Sequence, residues 1–343
     1  MTRLWDRRRT VLALGASMAG AACASPRDGR RVLVNLAGLQ PPTPPPSDGA
    51  VLAAEADTAR RMTAPVFLNG AGPYAFVVDT GANRSVLAAE VAARIGAPGA
   101  GDAEIHGIAG AEPAPLALIN RLSVGAVSSR RVRMPLLAQS RLGAQGLLGV
   151  DVLRNRRVEL DFEHNELRID DSRRPVLPPI VAPAGGRIPV TEDAGVVTVA
   201  ARQRFGQLII IDADVGGQPV TAFLDSGSQN TVGNLALRRA VVSADPGRPV
   251  QSIEVMLVSA TGQSARGELS PLPALRMGGL RIGGLSAVFA DLHVFRIWDL
   301  EEQPAILIGV DILRHFRSVA LDFGRRTVTF RAGRALNPAA AGP

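Results

Sequence analysis

Four blocks of this chain occur twice, in the same order, once in each half. "GPYAFVVDTGANRSVL" (72–87) is matched by "GQPVTAFLDSGSQNTVG" (217–233), and "RLSVGAV" (121–127) by "LRIGGL" (280–285). "GLLGVDVLR" (146–154) is matched by "ILIGVDILR" (306–314), and "VELDFEHNELRI" (158–169) by "VALDFGRRTVTF" (319–330). Equivalent positions are 146 residues apart at Asp79 and Asp225 and 160 apart at Gly149 and Gly309, so the second copy carries loop insertions. A repeat of this length constrains the fold more than composition does, because each copy must form the same unit and the two can pack about a pseudo-twofold axis. The chain of 343 residues is long enough to give each copy its own core.

The matched blocks are short apolar runs rich in β-branched residues and punctuated by Gly and Pro, the pattern of strands and tight turns. With 36 Gly, 25 Pro and only 4% aromatic residues, long helices are disfavoured. A short helix is expected at "VLAAEVAARIG" (86–96), where Ala-rich sequence meets a Gly stop. Another is expected to start near each "GVD-V/I-LR", with Asp151 and Asp311 as structural caps at the helix starts. The Gly-rich "MGGLRIGG" (277–284) falls in a hairpin of the repeat.

Outside the repeats the chain changes character. Arg7-Arg8-Arg9 precedes a short apolar run ending at Ala22-Cys23-Ala24, which fits an export signal over 1–24, with Arg8-Arg9-Thr10-Val11-Leu12 resembling a twin-arginine signal. The expected location is therefore the periplasm. Cys23 is the only cysteine; it belongs either to a discarded leader or, with Gly20 at a position where a lipobox prefers Leu, to a lipid anchor that would tie the protein to a membrane. Residues 25–55, with "PPTPPPSDG" (41–49), form a Pro-rich spacer or pro-segment. The lobes then span 56–172 and 188–331, separated by a Pro-rich linker at 173–187 and followed by a disordered tail at 332–343.

Charge and composition exclude several functions. The net charge is +7, with every basic residue an Arg, but the arginines are scattered without interleaved aromatics, so no nucleic-acid surface is indicated. Four separated His and one Cys give no metal-ligand spacing, and no cofactor is implied. There is no G-x-S-x-G elbow, and without Lys there is no P-loop.

What remains is an Asp at the end of each repeated apolar strand, Asp79 and Asp225. Brought together on the pseudo-twofold axis, two carboxyls cannot both ionise readily, so they share a proton. Such a pair suits hydrolysis of an amide: the ionised member takes a proton from water and the protonated member hydrogen-bonds the carbonyl oxygen. Gly81 and Gly227 permit close backbone approach, and the hydroxyls of Thr80 and Ser226 are placed to bond the facing lobe.

On D-T-G-A-N (79–83), D-S-G-S-Q (225–229), Leu147-Leu148-Gly149 and Leu307-Ile308-Gly309, the chain resembles the retropepsin- and pepsin-type aspartic proteases, in particular bacterial retropepsin-like proteins with two fused halves. The resemblance covers about residues 60–170 and 200–331. It implies an all-β fold of two homologous closed β-barrel lobes with a short helix or two per lobe, and a substrate cleft between them under flaps. It also implies an aspartic endopeptidase acting on peptide or protein substrates with Asp79 and Asp225 as the pair, supported by Thr80, Gly81, Ala82, Ser226, Gly227 and Ser228. The fused halves make an oligomer unnecessary.

Ala82 and Ser228 differ at equivalent positions. A Ser228 hydroxyl donating to Asp225 would leave the charge on Asp225 and the proton on Asp79. The flaps fall by position at "EIHGIAGAE" (104–112) and "VSATGQSARG" (258–267), giving Gly107, Ile108, Gly110, Thr261 and Gly262 as substrate contacts. The Tyr of pepsin-like flaps is absent, since the only Tyr is Tyr74 beside the catalytic strand. His106 is read as a solvated loop residue, with substrate contact as its other reading. Two rivals remain at this level: a catalytically silent peptide-binding or scaffold protein on the same fold, and a surface-anchored structural protein using the Pro-rich spacer.

Overall fold

The computed structural model describes residues 10–11, 50–53, 55–57, 61–172, 195–204, 206–247 and 251–332. Cys23, the cleavage site, the Pro-rich stretches at 41–49 and 173–187 and residues 333–343 lie outside them. Two residues of the expected export signal, Thr10–Val11, pair in parallel with Ile105 and His106. Among the described residues no helix is long and apolar enough to cross a membrane.

The first lobe is built from hairpins. Met62–Leu68 and Ala71–Val78 are joined by Asn69-Gly70, both at positive φ, the two-residue turn that matches the twist of paired strands. Ala111–Val124 and Val127–Leu137 make the next hairpin. Val86–Ala88 and Gly146–Leu148 sit between these hairpins, and pairing of Phe67-Leu68 with Leu122-Ser123 closes six strands into a barrel. Phe76, Val77 and Val78 are fully buried because their strand runs parallel to Gly146–Leu148 inside the barrel, where an unbroken apolar run is what both faces require.

The second lobe repeats the central part. Thr221–Leu224 runs parallel to Ala305–Ile308, which is flanked on its other side by Val232–Gly233. Its outer strands differ. Ala213–Val215, Gln218–Pro219, Leu275–Met277 and Leu280–Ile282 form a separate four-stranded sheet, so among the described residues the barrel closure of the first lobe is not reproduced by strand pairing in the second. The block at 280–285, matched in sequence to 121–127, is drawn into that sheet by its hairpin with Leu275–Met277.

The last repeated blocks join the lobes. The first lobe ends in the hairpin Arg156–Asp161/Glu166–Asp171, and the second in its counterpart, Phe316–Asp322/Thr327–Ala332. The two hairpins pair antiparallel through Val158↔Leu321 and Leu160↔Val319. Ala50–Ala53 and Val196–Arg204 extend this shared sheet on either side. The two copies thus build one continuous platform beneath the interface.

Helices are short, three per lobe among the described residues: Ala89–Arg94, Gln139–Leu142 and Val150–Leu153, then Leu235–Ala244, His293–Ile297 and Val310–Leu313. The helix expected over 86–96 begins only at Ala89, because Val86–Ala88 is taken into the sheet. Asp151 and Asp311 lie in the first turns, but the N-cap positions are Gly149 and Gly309. Each carboxylate accepts a first-turn N–H, Val152 to Asp151 at 3.0 Å and Ile312 to Asp311 at 2.8 Å, and also the backbone N–H and hydroxyl of Ser85 or Thr231, tying the helix to the loop that follows the Asp-Thr/Ser-Gly motif.

Candidate active site

Asp79 and Asp225 end the two buried parallel strands and are each 0% exposed. Their backbone N–H groups bond Leu148 O at 3.0 Å and Ile308 O at 2.9 Å, which hangs both loops from the later apolar-apolar-Gly blocks. Oδ1 of Asp79 accepts from the N–H of Gly81 and of Ala82, both at 2.9 Å. Oδ1 of Asp225 accepts from Gly227 at 3.0 Å and Ser228 at 3.1 Å. Both Oδ2 atoms are left without a backbone or side-chain donor, and the two carboxyls are close enough to share a hydrogen bond.

The loops cross. Thr80 N–H donates to Ser226 Oγ at 3.1 Å and its hydroxyl to Leu224 O at 2.9 Å. Reciprocally, Ser226 N–H donates to Thr80 Oγ1 at 3.0 Å and its hydroxyl to Val78 O at 2.7 Å. A Cβ on Gly81 would collide with the Asp225 carboxyl, and a Cβ on Gly227 with that of Asp79. The glycines are therefore required by close approach across the axis.

Burial pushes both carboxyls up, Asp79 to about 7 and Asp225 well above the ordinary value. For Asp79, burial is opposed by the Arg61 guanidinium and by the Gly81 and Ala82 N–H groups. For Asp225, burial is reinforced by the charge of Asp79. One carboxylate and one carboxylic acid is the favoured state of such a pair, which titrates as a unit. The surroundings of the pair differ in the sense opposite to the sequence expectation: the Arg61 cation acts on Asp79, and the charge of Asp79 acts on Asp225. The Ser228 hydroxyl does not reach Asp225; it donates to Asn230 O at 2.8 Å, a local bond within its own turn that wins over the side chain.

The sequence-predicted flap residues come together, but around each other. Ile108 is fully buried in the second lobe's apolar cluster with Phe223, Leu257, Val288 and Trp298, and its carbonyl accepts from Val294 N–H at 3.2 Å. Gly107 packs against the hydroxyls of Ser259 and Thr261, and Gly110 against Gln263, whose Nε2 donates to Ala111 O at 3.1 Å. Thr261 is buried, and Gly262 faces the Arg141 guanidinium of the first lobe. His106 is not a solvated loop residue: it is 5% exposed, and its Nδ1 lies 2.9 Å from His293 Nε2.

Sequence reasoning missed Arg61, Gln207 and His293. Arg61 is buried and donates to Leu142 O at 2.6 Å and Gly227 O at 3.4 Å, with Asp57 holding its Nε at 2.7 Å. Gln207 Nε2 donates to Gly81 O from the opposite lobe. For Arg61 and Gln207 the available signal was a polar side chain at the edge of an apolar strand, whereas His293 opens a short helix. Among the described residues no cluster of His, Cys, Asp and Glu is arranged to hold a metal ion.

Two carboxyls held in mirrored loops at the junction of two like lobes define an aspartyl-protease type of site. Comparison with known families agrees: residues 64–155 match the family described as gag-polyprotein putative aspartyl protease, and residues 211–312 match the family described as aspartyl protease. The chain belongs to the retropepsin- and pepsin-like aspartyl proteases, as a two-domain member and hence a hydrolase of peptide or protein substrates. No curated protein matches it in sequence. Among solved structures it is similar to the aspartic proteinase from Irpex lacteus, at 12% identity and a TM-score of 0.49, over 86% of this chain and 100% of that one. It is also similar to a structure of edgp, at 11% identity and a TM-score of 0.42, over 84% of this chain and 96% of that one.

Proposed function

We propose that the protein is an endopeptidase in which Asp79 and Asp225 activate water between the lobes. The observation that carries this reading is the pair of fully buried carboxyls, each held at Oδ1 by two N–H groups of its own loop and left at Oδ2 for chemistry. Water attacks the scissile carbonyl carbon and passes one proton to ionised Asp79. Asp225 gives its proton to the carbonyl oxygen, forming a neutral gem-diol. Collapse returns a proton from the diol to Asp225 while Asp79 passes its proton to the leaving nitrogen, so the pair ends as it began.

One observation favours the rival, a peptide-binding protein without turnover. The segments at 104–112 and 258–267 are packed on each other with Ile108 buried in the second lobe, and the dyad has no solvent exposure, so substrate entry requires this arrangement to open. Cleavage of a randomised fluorogenic peptide library, from about pH 3 to about pH 8, separates the two. The protease reading expects a bell-shaped profile whose acid limb lies above the ordinary carboxylate range, because Asp79 must ionise from a raised value. It expects Asp79→Asn and Asp225→Asn each to lose at least roughly 10²–10⁴-fold in rate. No cleavage at any pH by folded wild type, with tight binding of a peptide by wild type, would establish the rival.

The site of action is proposed on the same terms. Arg7-Arg8-Arg9 and the apolar run that follows support export to the periplasm, with Cys23 as the candidate lipid attachment. Mass measurement of the mature protein decides between cleavage before Ser25 and lipidation of Cys23.

A further inference from the structure

Arg61 and Gln207 stand at equivalent positions. Each lies 18 residues before its Asp, and they are separated by the same 146 residues that separate Asp79 from Asp225. Each sends a side-chain N–H across the interface to the same atom of the opposite motif: Arg61 Nη1 to Gly227 O, Gln207 Nε2 to Gly81 O. Both are buried, at 5% and 1% exposure. The hydrogen-bonding role is thus common to the two halves of the molecule while the charge is not. A structural strut alone would be met by an amide in both places. A buried guanidinium carries a desolvation cost that an amide avoids, and here it needs Asp57 and the Leu142 carbonyl to satisfy it.

The charge has an object. Gly227, whose carbonyl Arg61 reaches, is the residue whose Cα abuts the Asp79 carboxyl. The guanidinium therefore bears on Asp79, and the neutral amide of Gln207 stands in the corresponding place for Asp225, beside Gly81. Arg61 acts on Asp79 as a charge and Asp225 acts on it as a hydrogen-bond partner, whereas on Asp225 the charge is that of Asp79. The Asp57 carboxylate grips Arg61 at Nε, at Nη2 and at the Arg61 backbone N–H, fixing where the cation sits.

We propose that Arg61 and Gln207 are matched positioning residues that break the dyad's twofold symmetry, Arg61 holding the negative charge on Asp79 and Gln207 leaving the proton on Asp225. This rests on the reading of the two aspartates as the reacting pair. It assigns the water-activating role to the first lobe and the carbonyl-protonating role to the second, and so fixes the direction in which the chemistry runs across the cleft.

The test is a titration of the aspartate carboxyl carbons by NMR in the full-length protein, alongside the pH profile of kcat/KM. Arg61→Gln makes the two positions identical and is expected to raise the first ionisation of the pair by roughly one pH unit or more. Arg61→Lys loses the planar fork but keeps the cation, and is expected to stay within about half a unit of wild type. Gln207→Lys reads the same effect from the other lobe: it should lower the second ionisation by roughly one unit and narrow the bell from its alkaline side. Equal shifts in Arg61→Gln and Arg61→Lys, or no shift in a folded Arg61→Gln, would overturn the proposal. If neither Arg61 variant folds, Gln207→Lys decides, and an unmoved second ionisation overturns it. The carboxyl titration needs no turnover, so a protein that shows the shifts but cleaves no peptide keeps this inference and loses the endopeptidase.

Discussion

The two lobes are alike where they meet and unlike where they do not. At the interface the correspondence goes atom by atom: Gly149 N–H donates to Ser85 Oγ at 3.0 Å and Gly309 N–H to Thr231 Oγ1 at 3.0 Å. Val150 N–H donates to Ala82 O at 2.9 Å and Val310 N–H to Ser228 O at 2.8 Å. Away from the axis the first lobe closes its barrel and the second divides its strands between two sheets. The six-residue helix Ala89–Arg94 has no side-chain cap, whereas its ten-residue counterpart Leu235–Ala244 is capped by Asn234 accepting from Leu237 N–H. Geometry that must hold two carboxyls together tolerates no drift, while the outer strands need only bury apolar surface, which many arrangements do. Within the shared centre the departure that bears on the dyad's charge is Arg61 against Gln207.

The sharpest way to break this comparison is to crowd each side in turn. Gly81→Ala and Gly227→Ala each drive a methyl group into the opposite Asp carboxyl. Each is expected to cost about 1–3 kcal/mol of stability by overpacking and to lower peptide hydrolysis by about 10²-fold or more through displacement of the dyad. The stability losses should be similar in the two lobes, because the clash is the same on either side. A thermal melt of each variant checks this, and a large difference between the two melts would show that the two loops are not packed alike.

Next in size are the crossed hydroxyls. Thr80→Val leaves Leu224 O and Ser226 N–H without their partner, and Ser226→Ala does the same to Val78 O and Thr80 N–H. Each should cost about 1–3 kcal/mol in denaturant unfolding, the usual penalty for buried groups left unpaired. The double variant should cost less than the sum by more than about 0.5 kcal/mol, because the first loss already loosens the crossing that the second would remove. Strict additivity would mean that the loops are held independently.

Much of this centre was legible because it is local and duplicated. Asp79-Thr80-Gly81 and Asp225-Ser226-Gly227 mark themselves by position after an apolar run, and the Leu147-Leu148-Gly149 and Leu307-Ile308-Gly309 blocks by recurrence. Contacts between distant segments were not legible. Nothing in the residues around Ile108 says that it is buried in the other lobe, since an apolar flap tip suits a substrate contact equally well. Arg61 is one more scattered arginine in the sequence until its register with Gln207 gives it a counterpart. The Ser228 expectation failed for a local reason, the competing carbonyl of Asn230 two residues on. The split of the second lobe's outer strands was hidden because apolar alternation specifies that a strand is half-buried, not which sheet it joins.

The smallest effect expected concerns the first lobe's flap segment, whose His106 meets His293 at the start of a second-lobe helix. The rings are 2.9 Å apart nitrogen to nitrogen and stacked, with Glu104 Oε2 3.6 Å from His106 Nε2. A bond between two ring nitrogens needs one of them to accept, so a doubly protonated pair has no acceptor and sets two cations face to face. Burial, then His106 and Arg296, push the His293 imidazole below its ordinary value, with Glu104 opposing. The closed flap therefore binds fewer protons than the open one. Its stabilisation by neutral His293 is complete above the ordinary imidazole pKa and is lost progressively as pH falls below it. The protection factors of the amides over 104–111, corrected for the slower intrinsic exchange at lower pH, should fall on acidification by up to about tenfold for each unit by which the pKa is depressed. His293→Gln should remove that pH dependence while leaving Ile108 seated. Protection that stays flat in wild type across the imidazole range would mean that apolar packing of Ile108 alone closes the cleft, and the lobes would then be joined at the flaps by the second lobe's pocket and not by a titrating pair.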